Sequence, residues 1–229
     1  MIDAVLCELE GVLIDSAAQR RRALQLALAG ERFTLPDSAY EEHCARRSTE
    51  AAVEGAFRAL GIEDDPALAA LLVLGSDQNF TRQAARGVML APGAMAFLER
   101  ARAATRLAVV TRATRREAEL LLSVAGIDAA FDCVICAEDA PTPKPSAAPH
   151  EAALTRLGRR RPVDRGRVIA LEDGLHGIRA ASRAGVRCIA VGAMPAAEAA
   201  GAAGAVLSLV DVTPRSLEAI LARAEENAA

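Results

Sequence analysis

The strongest constraint on the fold is an alternation of strand-like and helix-like segments in the second half of the chain. Short apolar runs, most of them followed by a helix-like segment, occur at 107–110, 133–137, 168–171, 188–191 and 205–210. Another apolar run, at residues 4–7, lies near the first residue. Strands connected by helices run parallel and are covered on both faces. We therefore expect an α/β fold, a doubly wound parallel sheet with helices on both sides.

Residues 16–87 follow a different pattern, because they contain no strand-like run. Helix-like segments fill them instead, at 17–28, 38–46, 48–60 and 66–86. A purely helical insert between the first strand and the next strand and helix predicts a separate domain. We expect a core domain of residues 1–15 and 88–229 and an inserted helical domain of residues 16–87.

Composition excludes several classes of protein. Of the 229 residues, 52% are hydrophobic and 25% are charged, which is typical of a globular chain and not of a disordered one. A net charge of -3 and the absence of a basic stripe argue against a nucleic-acid partner. No apolar run is long enough to span a bilayer, and the first residues are strand-like, unlike a signal peptide. Five cysteines, an odd number, suggest reduced thiols. A cytoplasmic protein without a membrane partner is expected.

Polar side chains follow several of the predicted strands at the point where each strand ends. These residues are Glu8 and Glu10 after the first run, Thr111 after the second, Glu172 and Asp173 after the fourth, and Lys144 in the loop that follows the third. Open parallel sheets bind ligands at the carboxyl ends of their strands. Taken alone, the two glutamates could also be a solvated strand end. Together with the later residues, they predict one site.

Lys144 is unusual because it is the single lysine among 27 basic residues. A chain that otherwise uses arginine favours lysine where a compact ammonium is needed, although chance is the alternative explanation. Thr111 and Lys144 could bind a phosphate, and Glu8 with Asp173 could hold Mg²⁺. The glycine-rich motifs of P-loop and nicotinamide enzymes are absent from the expected positions. The pattern predicts a phosphoryl site.

These motifs resemble those of the haloacid dehalogenase superfamily, in the phosphatase and β-phosphoglucomutase-like branch with a helical cap. The family's Ser or Thr is matched by Thr111, its Lys before Pro by Lys144, and its acidic pair, which holds Mg²⁺, by Glu172 and Asp173. The resemblance implies a HAD-like Rossmannoid core, an inserted all-helical cap domain and Mg²⁺ as cofactor.

The chain departs from the family in its first motif. The family has Asp-x-Asp-Gly there, with a nucleophile and a general acid and base, whereas this chain has Glu8 and Glu10 before Gly11. Each added methylene moves a carboxylate by about 1.5 Å, and a misplacement near 1 Å can cost about a hundredfold in rate. The negative charge and the affinity for Mg²⁺ remain, so both glutamates stay candidate metal ligands. Binding is expected to survive better than turnover.

The resemblance also indicates residues that bind substrate. Arg47 and Ser48 begin a stretch that resembles the substrate-facing turn of the family's cap, and Arg112 and Arg20 are further candidates. In the mutase subgroup a His aligns with Arg20, so a mutase is disfavoured. His43 and His150 are expected to be solvated, because neither has a partner in the pattern. His176, near the predicted site, is expected to be structural.

Two functions remain open from the sequence. The first is a magnesium-dependent phosphohydrolase that acts on a small phosphorylated metabolite, slowed by Glu8 and Glu10. The second is a catalytically degenerate protein that binds phosphate or Mg²⁺ and acts as a regulator or partner protein. A structural scaffold is a third alternative. Retention of Thr111, Lys144 and Asp173 favours a bound ligand but does not separate the first two.

Overall fold

A computed structural model describes residues 1–159 and 161–228, the last six by their backbone only. The chain divides into two compact units. The core unit comprises Met1–Asp15 and the chain from Met89 onward, and the helical unit is Ser16–Val88.

The core unit contains a sheet of six parallel strands. In chain order they are β1 (Ala4–Cys7), β4 (Arg106–Val110), β5 (Cys133–Ile135), β6 (Val168–Glu172), β7 (Arg187–Val191) and β8 (Gly204–Val206). The strand order across the sheet is β5-β4-β1-β6-β7-β8, so β1 lies between β4 and β6. Leu6 pairs with Ala108 on one side and with Ala170 on the other. The expected α/β class with a parallel sheet is confirmed.

The three central strands are apolar on both faces because helices cover both sides of the sheet. All residues of β1 and β6 are buried, and so are the last four of β4. The helices of the core unit are α5 (Ala94–Arg102), α6 (Arg115–Ala125), α7 (Ala148–Gly158), α8 (Leu175–Arg183), α9 (Ala196–Ala199) and α10 (Pro214–Ala228). The side chain of Thr114 accepts a hydrogen bond from the N–H of Glu117 and caps α6.

Two predicted strands are shorter than expected. The third ends at Ile135, because the chain turns into a short 3-10 helix at Ala137–Asp139, where Asp139 accepts a hydrogen bond from the N–H of Cys136. The last ends at Val206. The sequence also did not indicate an antiparallel pair of two-residue strands, β2 (Ile14–Asp15) and β3 (Met89–Leu90).

The helical unit contains α1 (Ala17–Gly30), α2 (Asp37–His43), α3 (Thr49–Leu60) and α4 (Pro66–Ala84). All of residues 16–88 are described, and they contain no strand. Asp65 caps α4 by accepting from the N–H groups of Ala67 and Leu68, and Pro66 occupies the first turn, where its missing N–H is tolerated. The unit has an apolar core of its own, which includes Leu24, Leu28, Tyr40, Val53, Phe57 and Leu72.

Gly93, before α5, is required by its backbone geometry. Its φ is 84°, and a β-carbon at this position would lie 2.2 Å from the backbone nitrogen of Val210. A side chain is therefore excluded twice, by the left-handed conformation and by the neighbouring backbone. All five cysteines are free thiols. In the described part of the chain, no helix has the length and apolarity to cross a membrane.

Candidate active site

Three adjacent strands carry the site at their carboxyl ends. Glu8 directly follows β1, Thr111 directly follows β4, and Glu172 is the last residue of β6. Because β1 lies between the other two strands, these three residues meet at one edge of the sheet. The sheet topology therefore places the predicted polar residues together.

Lys144 enters this edge from the loop before α7. Its Nζ donates to Glu8 Oε2 at 2.8 Å, to Glu172 Oε1 at 2.7 Å and to the carbonyl oxygen of Val110 at 2.7 Å. Its three donors are thus all used, and only 5% of the residue is exposed. Burial alone would lower the pKa of Lys144, but the charges of Glu172 and Glu8 outweigh it and raise the pKa above its usual range. Lys144 is a buried, charged residue.

Both carboxylate oxygens of Glu8 are engaged. Oε2 pairs with Lys144, and Oε1 accepts a hydrogen bond from the backbone N–H of Leu9 at 2.8 Å. The glutamate therefore folds back toward its own main chain. Each oxygen keeps a second lone pair, which can accept a further donor or a cation.

Glu172 is almost fully buried, at 1% exposure. Its Oε1 accepts from Lys144 and lies 3.0 Å from Nε2 of His150. Its Oε2 faces Gly177 on α8, where a β-carbon would lie 1.8 Å away. Burial raises the pKa of Glu172, but Lys144 and His150 outweigh it, and the pKa is lowered from its ordinary value. Glu172 is therefore an ionised partner of Lys144.

Asp173 lies beside the loop that follows β1. Gly11 in that loop has a φ of 82°, and a β-carbon there would lie 2.2 Å from Asp173 Oδ2, so only glycine allows this approach. Burial and the charges of Glu8 and Glu172 raise the pKa of Asp173 to about 7, although Lys144 and Arg112 act in the opposite direction. Two carboxylates, Glu8 and Glu172, contact the Lys144 ammonium, and the charges of all three groups act on Asp173.

The remaining predicted residues of the core unit are Thr111, Arg112 and Glu10. Thr111 is buried, and its Oγ1 accepts a hydrogen bond from the N–H of Ala113 at 3.2 Å. Arg112 is exposed, and its charge acts on Asp173. Glu10 is half-buried in the loop after β1 and forms an isolated bridge with Ile14. Thr111 and Arg112 therefore lie at the edge that holds Lys144.

The other predicted substrate-binding residues belong to the helical unit. The guanidinium of Arg20, on α1, lies 3.5 Å from the centroid of the Phe80 ring. Arg47 is exposed, and Ser48 caps α3 by accepting from the N–H of Ala51 at 3.3 Å. Ser48 therefore has a structural task in addition to the predicted one.

His150 is buried, so the expectation that it is solvated is wrong. It is 0% exposed and lies in the first turn of α7 beside Glu172. The periodicity of α7 was the missed signal, because His150, Ala153 and Leu157 lie at i, i+3 and i+7 and are all buried. His43, by contrast, is half-exposed, and His176 is exposed.

The acidic cluster suits a cation by charge, although the described residues contain no group of three or more His, Cys, Asp and Glu side chains arranged to hold a metal ion. Lys144 and His150 already occupy Oε1 of Glu172. Of the predicted metal ligands, Asp173 is the acid whose pKa is raised, first by burial and then by the charges of Glu8 and Glu172. A cation beside it would stabilise its ionised form.

Comparison with known families identifies the class of protein. Residues 5–191 match the model of the haloacid dehalogenase-like hydrolase family. The chain belongs to this family. The matched span includes Glu8, Thr111, Lys144, Glu172 and Asp173, so the family resemblance predicted from these motifs is confirmed.

Several known proteins are similar to this chain over most of their length. The protein CbbY of Cereibacter sphaeroides is 30% identical over 196 residues, which are 82% of this chain and 84% of that protein. Crystal structures of CbbY from Rhodobacter sphaeroides, one in complex with phosphate and one of a mutant in complex with xylulose-(1,5)bisphosphate, superpose with a TM-score of 0.77 at 28% identity, covering 92% of this chain and 96% of that one. A β-phosphoglucomutase from Clostridium difficile shares the fold, with a TM-score of 0.77 at 16% identity over 97% of this chain and 98% of the other.

Proposed function

We propose that the protein is a magnesium-dependent phosphohydrolase that acts on a small organic phosphate, with turnover reduced by its glutamates. One observation carries the proposal. The only lysine of the chain is buried at the carboxyl ends of three adjacent strands, where it contacts Glu8 and Glu172. CbbY, which has been crystallised with phosphate and with a sugar bisphosphate, supports a phosphorylated substrate.

The roles of Glu8 and Glu10 follow from their resemblance to the family's first motif, and those of the other residues from their contacts. Glu8 stands in the position of the nucleophile, and Glu10 in that of the general acid and base. Lys144 holds Glu8 and offers positive charge to the phosphate, and Thr111 offers a hydroxyl. Glu8 and Asp173 would hold Mg²⁺, with Glu10 and Glu172 as further acids, and Lys144 contacts both Glu8 and Glu172. Bound Mg²⁺ supplies charge neutralisation to the phosphoryl oxygens.

Slow turnover follows from the geometry of Glu8. Its carboxylate is held by Lys144 and by the N–H of Leu9, so its remaining lone pairs can reach phosphorus only from the direction that these two contacts allow. It is also one methylene too long for a site built around aspartate, by about 1.5 Å, and a misplacement near 1 Å can cost about a hundredfold. The phosphate contacts of Thr111 do not depend on this length. The loss is therefore expected in kcat and not in binding.

The same contacts favour a second candidate function. If Glu8, held by Lys144 and by the N–H of Leu9, cannot reach phosphorus, the site binds a phosphorylated metabolite or Mg²⁺ without hydrolysing it, and the protein acts as a regulator or partner protein. In both cases we propose a cytoplasmic protein whose ligand is a small phosphorylated metabolite, with no nucleic-acid or membrane partner. Its charge of -3 and its lack of a basic stripe support this assignment.

The test compares Glu8→Asp with the unmodified protein. Hydrolysis of an aryl phosphate and of a sugar bisphosphate is measured with Mg²⁺ and with a chelator. We expect kcat to rise by about a hundredfold or more in the variant, with KM within a few fold. Glu151→Asp makes the same change at an exposed position on α7 and is the matched control. The double variant Glu8→Asp, Glu10→Asp shows whether the second glutamate limits the rate as well.

The outcomes separate the two functions. Fast hydrolysis by the unmodified protein, with Glu8→Asp no faster, would mean that the backbone accommodates Glu8 and that the reduced-activity proposal is wrong. Phosphate binding by calorimetry without hydrolysis in any of these variants would favour the regulator. Absence of both binding and hydrolysis would refute both.

A further inference from the structure

His150 is a buried polar residue that the proposed mechanism does not use. It lies on α7 with 0% exposure, and neither of its ring nitrogens makes a hydrogen bond of good geometry within the described residues. Its nearest charged neighbour is Glu172, whose Oε1 is 3.0 Å from Nε2. The two atoms are close enough to interact, but their arrangement does not meet hydrogen-bond geometry.

The contact is informative because of what else binds the same oxygen. Glu172 Oε1 also accepts from Lys144 Nζ at 2.7 Å. Lys144 and His150 belong to one segment, the loop before α7 and the first turn of that helix. One carboxylate oxygen therefore holds this segment at two points, six residues apart. On the opposite side, Oε2 is confined by Gly177.

The cost of burying a polar ring suggests that the contact between His150 and Glu172 compensates for it. A buried polar ring without a partner is costly, whereas a phenyl ring fills a similar volume without desolvation of polar atoms. The rest of the buried face of α7 is apolar, with Ala153 and Leu157. The imidazole therefore adds one feature that a phenyl ring lacks, a polar atom directed at Glu172.

We propose that His150 is a positioning residue, which fixes Glu172 so that Oε1 faces Lys144 and thereby holds Lys144 against Glu8. Glu172 transmits the effect, because it contacts both His150 and Lys144. The effect on turnover rests on the proposed phosphohydrolase function. The effect on Lys144 does not, and it can be measured without substrate.

The single lysine makes the measurement possible. Acylation of amines, followed by peptide mass spectrometry, reports Lys144 separately from the terminal amine. In His150→Phe we expect Lys144 to react about tenfold faster than in the unmodified protein, which corresponds to a loss of about 1.4 kcal/mol of stabilisation. His43→Phe is the matched control, since His43 is half-exposed on α2 of the helical unit. This variant should leave the rate unchanged.

A conservative variant distinguishes positioning from packing. His150→Gln places an amide donor near the position of Nε2 and should restore most of the protection of Lys144, although it fills the cavity less well than phenylalanine. If Phe protects Lys144 as well as His does, with an unchanged melting temperature, the proposal is wrong. If Phe and Gln expose it equally, the effect comes from packing and the proposal also fails.

A measurement on the native histidine covers the case in which these variants do not fold. With ¹⁵N-labelled histidine, the Nε2 resonance of His150 should shift in Glu172→Gln and stay unchanged in Glu151→Gln, an exposed position on the same helix. An unchanged resonance in Glu172→Gln would overturn the proposal. If the phosphatase assay succeeds, His150→Phe should lower kcat and leave KM nearly constant. Failure of that assay in every variant refutes the proposed function, whereas acylation and NMR still decide the role of His150.

Discussion

Replacing Lys144 with methionine removes the one ammonium that balances the buried acids. Methionine keeps the length of the side chain and loses the charge. Glu8 and Glu172, which lie 2.8 and 2.7 Å from Nζ, are then left in the interior without this partner. Two carboxylates that stay ionised in a buried site repel each other and have lost their solvation.

The magnitude follows from these distances. At an effective dielectric constant near 20, each contact corresponds to about 6 kcal/mol of Coulomb energy, and most of it is offset by the desolvation of the ammonium. The net loss on breaking a buried ion pair is about 3–5 kcal/mol. In a protein of this size, 1 kcal/mol shifts the melting temperature by about 2–4 °C. We therefore expect Lys144→Met to lower the melting temperature by about 6–20 °C near pH 8.

The melting-temperature deficit of Lys144→Met should also depend on pH. Protonation neutralises the acids that lysine no longer balances, so the deficit should shrink as the pH falls from about 8 to about 5. Adding Glu8→Gln and Glu172→Gln to Lys144→Met should recover most of the loss, because a neutral set contains no uncompensated charge. Arg179→Met removes a positive charge from an exposed position on α8 and should have little effect.

Circular dichroism in the far ultraviolet, together with calorimetry, is the appropriate assay, because the chain has no tryptophan and only one tyrosine. A melting temperature for Lys144→Met within about 2 °C of the unmodified protein near pH 8 would show that the buried acids do not depend on lysine. An equal deficit at both pH values would show that the loss comes from packing.

Three further predictions concern neighbouring positions. Gly93→Ala should destabilise the protein by several kcal/mol more than Gly126→Ala, since both have positive φ but only Gly93 faces backbone within 3 Å; equal melting temperatures would contradict this. In chelator, Asp173→Asn should raise the melting temperature near pH 8 and not near pH 4, because the folded pKa of about 7 lies above the ordinary 3.8 and the ionised acid is unfavourable. If Asp173→Asn changes the melting temperature equally at both pH values, the raised pKa of Asp173 is not the cause. Gly177→Ala should displace Glu172 and increase acylation of Lys144; unchanged acylation would mean that the carboxylate has room to move.

Local patterns in the sequence were sufficient to predict the fold class. Strand-like runs and helical periodicity are properties of neighbouring residues, and the alternation between them leaves few topologies open. The hydrophobic pattern did not predict a strand end that is set by a side-chain contact. The strand predicted at 133–137 ends at Ile135 because Asp139 captures the N–H of Cys136.

The sequence by itself also indicated candidate site residues, because polar side chains at strand ends and a single lysine are visible without a structure. Which of these side chains contact one another was decided only by the tertiary structure. Lys144 meets Glu8 across 136 positions of the chain and Glu172 across 28, and His150 turns inward to share the same oxygen. Such contacts depend on how strands are ordered in the sheet and on which face of α7 is covered. Neither is a property of adjacent residues, so whether Glu8 is free or engaged could be known only from the folded chain.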